Sequence, residues 1–311
     1  MRPLSALSSL ARGAAWAVVW TIVLSGAAHA QSLVFDAKNS EDPIQVNAQG
    51  GIEWQQENRR FIARGNAVAV QGEVSVAGDE LTADYRTLSD GSNELYRVYA
   101  SGNVTMKSDT ETATGDAAVY DFDNAVLVLE GSAVKLTTED GSVAAKRALQ
   151  YWSNEKVAVA EGSAVAEDAE QRRLSGDKLI AFFRQSEGGA NVQSAGRSKA
   201  DIVFLQAFGN VRMETEKETV QGSRGSYNIE SGIATLDGSV KITQNNNQAG
   251  GGFAVVNVKG GTSRLFGSAA EARMQAPRED ARVRALIAPN TEPAAGIAVE
   301  PDAGAAPAAQ D

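Results

Sequence analysis

The stretch ARGNAVAVQG, residues 63–72, sets a Gly-Asn pair between two short apolar runs. The figure returns as SGNVTM at Gly102, EGSAVKL at Gly131, EGSAVAE at Gly162, FGNVRME at Gly209 and DGSVKIT at Gly238. Glycine followed by Asn or Ser suits the first central position of a type II′ turn, or a sharp corner that needs positive φ. The successive glycines stand 37, 29, 31, 47 and 29 residues apart, a period typical of stacked repeat units. A second figure interleaves with the first: GDELTADY (78–85), GDAAVYDF (115–122), GDKLIAFF (176–183) and, more loosely, GSRGSYNI (222–229). Here glycine opens a run that ends on aromatic rings.

Between these glycines the hydrophobic period is two. Leu81, Ala83 and Tyr85 alternate with Thr82, Asp84 and Arg86, and Val211 and Met213 alternate with Arg212 and Glu214. Alternation with charge on the other face predicts half-buried strands, and helical spacing is not sustained anywhere between 41 and 267. Proline agrees. The seven prolines leave the span from Gln45 to Ala276 empty and crowd five into the last 35 residues, as expected if an extended hydrogen-bonded sheet excludes them. Each repeat is too short to bury its own apolar face, so the units must stack on one elongated core. QSEGGANVQSAGRSKAD (185–201) reads as a surface loop, residues 289–311 as a disordered Pro/Ala-rich tail, and REDARVRALIA (278–288) has the composition of a short helix.

The first thirty residues read as an export signal: Arg2 and Arg12, an apolar middle at 14–26, and Ala28 and Ala30 before a cleavage point at Gln31. An uncleaved anchor is the rival reading. Past that point 27 Lys and Arg (29 less Arg2 and Arg12) face 39 Asp and Glu, a balance of −12, which disfavours nucleic acid as a partner. The chain has no Cys, and His29 is its one histidine. Neither a conventional nucleophile–base pair nor a zinc site is therefore expected, and no Gly-x-x-x-x-Gly-Lys-Ser/Thr loop occurs. The pairs Asp79/Glu80, Glu139/Asp140 and Glu167/Asp168 read as solvated surface, and Trp54 and Trp152 as sheet packing. No catalysis and no cofactor are expected.

The combination of the leader, DPIQVNA (42–48), FIARGNAVAVQGEVSVAGDELTADY (61–85) and TGDAAVYDFDNAVLVLEGSAVKL (114–136) resembles the LptA/OstA-like family of periplasmic lipopolysaccharide transport proteins. The resemblance is good over 41–140 and continues more weakly to 267, so the all-β body is one long OstA-like jelly roll or two units (41–140 and 141–267), with 268–311 as tail. It implies two facing antiparallel sheets, open along one side, that shelter the acyl chains of lipopolysaccharide. It also implies end-to-end strand addition: the N-terminal strand to an LptC-like partner, the C-terminal strand to an LptD-like one, and head-to-tail joining of copies. By the resemblance Ile44, Val46, Tyr120 and Phe122 match positions that line the lipid path. Alternation alone adds Val68, Val70, Val74, Val76, Val104 and Met106 as inward positions. The expected edges are 42–48 and 254–267. Three rivals stay open: an LptC-like anchored component, a polysaccharide-active β-helix enzyme, and a purely structural β-repeat protein.

Overall fold

The computed structural model describes residues 42–184, 202–216, 218–274 and 283–286. The expected leader, the 185–201 insertion and residues 287–311 lie outside the described residues. The N-terminal part comprises β1 (Gln45–Asn47), β2 (Ile52–Gln55), β3 (Arg60–Gln71), β4 (Val74–Thr87), β5 (Asn93–Lys107) and β6 (Thr112–Asp121). The centre holds β7 (Val126–Glu130), β8 (Val134–Thr138), β9 (Gly141–Ala145), β10 (Ala148–Trp152), β11 (Val157–Asp168) and β12 (Arg173–Phe183). Then follow β13 (Ile202–Glu214), β14 (Thr219–Asn228), β15 (Ile233–Gln244), β16 (Asn247–Asn257), β17 (Thr262–Phe266), α1 (Ala269–Met274) and β18 (Arg284–Leu286). Neighbouring strands are antiparallel throughout, and β8 and β9 pair across residues 139–140, so the sheet runs on without a break at that point.

The Gly-Asn and Gly-Ser pairs are corners within strands, not hairpin turns. In five of the six both residues take positive φ, as in Gly102 at 74° and Asn103 at 50°, and Gly209 at 68° and Asn210 at 48°. The pairs at Gly65, Gly102, Gly162, Gly209 and Gly238 lie inside the continuous strands β3, β5, β11, β13 and β15, so the corner reading holds and the hairpin reading fails. Each corner shifts the register, as between Ala77/Glu80 on β4 and Ser101/Val104 on β5. Gly131-Ser132 goes further and splits the bent strand into β7 and β8.

The two sequence figures are the two sides of this corner. Asn103 on β5 donates from Nδ2 to Asp79 on β4 at 3.2 Å, and Asn210 on β13 donates likewise to Asp177 on β12 at 3.1 Å. The Ser132 amide donates to Asp116 at 2.9 Å. A carboxylate on one strand thus satisfies the polar groups that the next strand exposes by bending, which is why Gly-Asp alternates with Gly-Asn down the chain.

The corners fold the sheet along a crease into two leaves. Leaf one begins at β2, continues through the segments 60–64, 80–84 and 97–101, and ends at β17. Leaf two begins at β1, continues through 67–71, 74–78 and 104–107, and ends at β18. The leaves touch at the crease: a Cβ on Gly225 of leaf one would lie 3.2 Å from Val211 Cγ1 of leaf two. The result is an open antiparallel jelly roll. In the stretch expected to be tail, α1 and β18 are ordered, and residues 284–286 form a strand, not part of a helix.

Candidate functional site

The inner faces of the leaves are built by register. On leaf one, Ala63, Leu81, Ala100, Ala118, Leu129, Leu149, Ala160, Leu179, Ala207, Gly225, Leu236, Ala254 and Leu265 stand opposite one another in sequence, strand after strand. On leaf two the matching row runs Val46, Ala69, Val76, Met106, Ala113, Leu136, Val143, Ala166, Leu174, Met213, Val220, Ile242 and Ala249. Neither row contains a charged residue. Because facing positions pair directly across strands, a single hydrophobic stripe extends along the whole crease.

Most of the residues expected to point inward do so. Val74 and Val76 are 7% and 6% exposed, Val104 and Met106 1% and 3%, and Tyr120 8%. Phe122 packs half-buried against the core with its ring edge-on to Tyr120, centroids 4.7 Å apart. Ile44 is half-buried against the same core, and Val46, in register with the inward Ala69, lies 38% exposed at the end of leaf two. Val68 and Val70 are the correction. The inward residues of β3 are Ala67 (0% exposed) and Ala69, while Val68 pairs with Ala77 and Val70 with Ser75 on the outer face. The corner sets the parity: the second residue after its glycine turns in, Ala67 here as Val104, Val211 and Val240 do at the equivalent positions, so Val68 and Val70 fall on the outer face.

One cavity in the trough is lined by none of the ten expected residues. Between β6 and β16 the leaves enclose a cavity of about 360 Å³. Its walls include Leu127, Leu129, Leu149, Leu179 and Leu205 from leaf one, and Leu136, Val143, Leu174 and Met213 from leaf two. Asp140, Asp168, Arg172, Arg173 and Thr215 stand at the strand ends that form its mouth, and Gln150, Tyr151, Ser226 and Thr235 add polar groups along the strands. Arg172 is held by Asp168 at 2.8 Å and by Glu170 at 2.9 Å, and Arg173 by Glu167 at 2.9 Å. Two adjacent pairs of small residues open this space, Ala158 beside Ala181 and Ala207 beside Gly225. The signal was present in AVLVLEG and KVAVAEG, whose odd and even positions separate just as the two faces do.

Further toward the N-terminus three aromatic rings cluster at the end of leaf one. Trp54 stacks on Phe61 at 5.4 Å, Phe61 lies 5.2 Å from Tyr85, and Trp54 Nε1 donates to the Tyr85 hydroxyl at 2.8 Å. Trp54 and Ile52 on β2 remain 54% and 55% exposed, so both leaves present apolar side chains at this end. Glu111, in the β5–β6 connection, is 5% exposed, with no partner for Oε2, and burial pushes its carboxyl up to about 7. Of the carboxylate pairs read as surface, Asp79 and Glu139 are exposed and Glu80 pairs with Arg64, whereas Asp140, Glu167 and Asp168 are partly buried and line the cavity. Among the described residues no group of acidic side chains, histidines or cysteines could hold a metal ion, and no helix is long and apolar enough to cross a membrane.

The geometry is that of an open β-trough with a largely aliphatic floor. Residues 45–156 match the family model described as LptA/(LptD N-terminal domain) LPS transport protein. An uncharacterized protein of Rhizobium meliloti (strain 1021) is 25% identical over 103 residues, 32% of this chain. The chain spans about half, 55%, of that relative's length. Among solved structures, LptH of Pseudomonas aeruginosa, described as the LptA homologous periplasmic component of the lipopolysaccharide transport device, aligns over 80% of this chain and 97% of its own. The identity is 14% and the TM-score 0.20, a correspondence too loose to carry weight.

Proposed function

We propose that the protein is a periplasmic carrier that binds lipopolysaccharide non-covalently by its acyl chains and forms part of a bridge to the outer membrane. The observation that supports this most is the uninterrupted pair of inner rows, apolar from Val46 and Ala63 at one end to Ala249 and Leu265 at the other. Taking one CH₂ out of water is worth about 0.8 kcal/mol, so a dozen carbons gain on the order of 10 kcal/mol. A chain that slides from one rung to the next exchanges like for like and meets no deep trap. Movement along such a path needs no chemistry from the trough itself.

The exposed ends support the bridge. At the N-terminal end β1 and β2 are edge strands, and Val46, Ile52 and Trp54 extend the inner face outward. At the other end β17 and β18 are the edges of the two leaves. Edges of this kind accept strands from another chain, and a head-to-tail contact does not close on itself. An LptC-like partner at β1 and β2, an LptD-like partner at β17 and β18, and further copies between them follow from this reading. The test is in-cell photo-crosslinking: a photoreactive residue at Tyr120 should capture lipopolysaccharide, and one at the outward Val119 should not. Equal capture at both positions contradicts the carrier reading.

A further inference from the structure

Building on the transport reading, we propose that the enclosed part of the trough between β7 and β16 is a resting site for one aliphatic chain of about fourteen carbons. The chain, and not the head group, supplies its affinity there. The capacity follows from volume. A cavity of 150 Å³ takes one benzene, roughly 25 Å³ per carbon, so the about 360 Å³ enclosed here has room for ~14 carbons by the same measure. The shape follows from the strands. The leaf-one residues of the wall run from Leu127 to Val258, across eight neighbouring segments, or ~34 Å at about 4.8 Å per strand. So small a volume spread over such a length leaves no space for two chains abreast.

The site lies where small residues meet. Ala158 faces Ala181 across strands and Ala207 faces Gly225, and the rings of Tyr151, Phe183 and Tyr227 bound the space they leave. A lipid with several chains can therefore place one of them here, and the others require the leaves to part or remain outside. The mouth offers no net attraction to an anionic head. Its three carboxylates, Asp140, Glu167 and Asp168, outnumber the guanidiniums of Arg172 and Arg173, both of which are already ion-paired.

The experiment titrates the full chain, purified after export, with alkyl maltosides of 8 to 16 carbons kept below their micelle concentrations, and counts bound ligands by native mass spectrometry. Affinity should rise about fourfold per methylene, level off near 14 carbons, and saturate at one ligand per chain. Dodecyl phosphate should bind no more tightly than dodecyl maltoside. A continued rise to 16 carbons, two ligands per chain, or a clear preference for the phosphate overturns the proposal. Ala181→Leu should bring the plateau about three carbons earlier, and Ala158→Leu gives the same reading should the first variant fold poorly. Ala83→Leu, in the same row but outside the cavity, should leave the plateau in place. An equal shift in both overturns the assignment to this region. If lipopolysaccharide still crosslinks at Tyr120 while no plateau is found, this site fails and the carrier reading survives. If crosslinking fails while the plateau is present, the reverse holds.

Discussion

The N-terminal strands β3–β6 and the central strands β7–β13 are built on the same rows yet differ on both faces. On the outside of leaf one a single row begins Arg60, Asp84, Arg97, Asp121 and continues Val126, Trp152, Val157, Phe182, Phe204. The first part is an alternating charge ladder, with Arg60 to Asp84 at 2.9 Å and Arg97 to Asp121 at 2.6 Å. The second is an apolar band in which the Phe182 and Phe204 rings lie 5.9 Å apart. Inside, the Trp54, Phe61 and Tyr85 rings cluster in the first part, and a cavity walled by leucines with Tyr151, Phe183 and Tyr227 occupies the second. One corner motif thus fixes where the sheet bends, while the residues between corners decide how full the trough is. Architecture and capacity are separately encoded.

That separation is open to attack by matched substitutions. The largest effect is expected for Leu81→Ala against Leu179→Ala, two buried leucines of one row, each 6% exposed. Leu→Ala costs roughly 2–5 kcal/mol, more where the surroundings add a new void and less where one already exists. Leu81→Ala should fall near the upper figure and Leu179→Ala near the lower, measured by denaturant unfolding. Equal costs would mean that the two regions are packed alike.

Next comes Glu111, whose raised value means that the folded state favours the protonated form. Its contribution is complete below the ordinary value of 4.5 and is lost as the pH rises through about 7. Glu111→Gln should therefore gain on the order of 2–3 kcal/mol at pH 8 and nothing at pH 4. A variant with the pH dependence of the parent would show that this carboxyl is solvated.

The corners should behave alike in both regions. Gly102→Ala and Gly209→Ala each force a side chain into positive φ and against the carboxylates of Asp79 and Asp177, at a cost of about 1–3 kcal/mol. A large difference between them would break the claim that one motif builds the whole crease. The smallest effects are expected on the outer face. Asp121 is held below the usual carboxylate range: burial works upward, and the hydrogen bonds from Arg97 and the Asn124 amide outweigh it. Asp121→Asn should cost about 1 kcal/mol, and Phe182→Thr less, since half-exposed apolar contacts on a sheet surface contribute little.

Much of this was legible in the residues. The all-β class, the stacked period and the positive-φ corners follow from Gly-Asn spacing and alternation, because backbone geometry restricts what a Gly-Asn pair can do. The pairing of Asp79 with Asn103 was visible only as two interleaved figures, since their meeting depends on register. Val68 and Val70 were misassigned because hydrophobicity ranks valine above alanine, whereas the corner at Gly65-Asn66 sets the parity and turns Ala67 and Ala69 inward. The cavity was missed for a related reason: Ala158, Ala181, Ala207 and Gly225 look unremarkable along the chain, and their effect comes from lying next to one another across strands.

The most direct test of the trough as a shelter for acyl chains is the set of intermolecular nuclear Overhauser effects between lipid A methylenes and labelled Leu and Val methyls. Contacts are predicted at Leu129, Leu149, Leu179 and Leu205 and none at Val119, Val128 or Val157. Contacts at the latter three, with silence at the leucines, would place the lipid on the outer face and contradict the account.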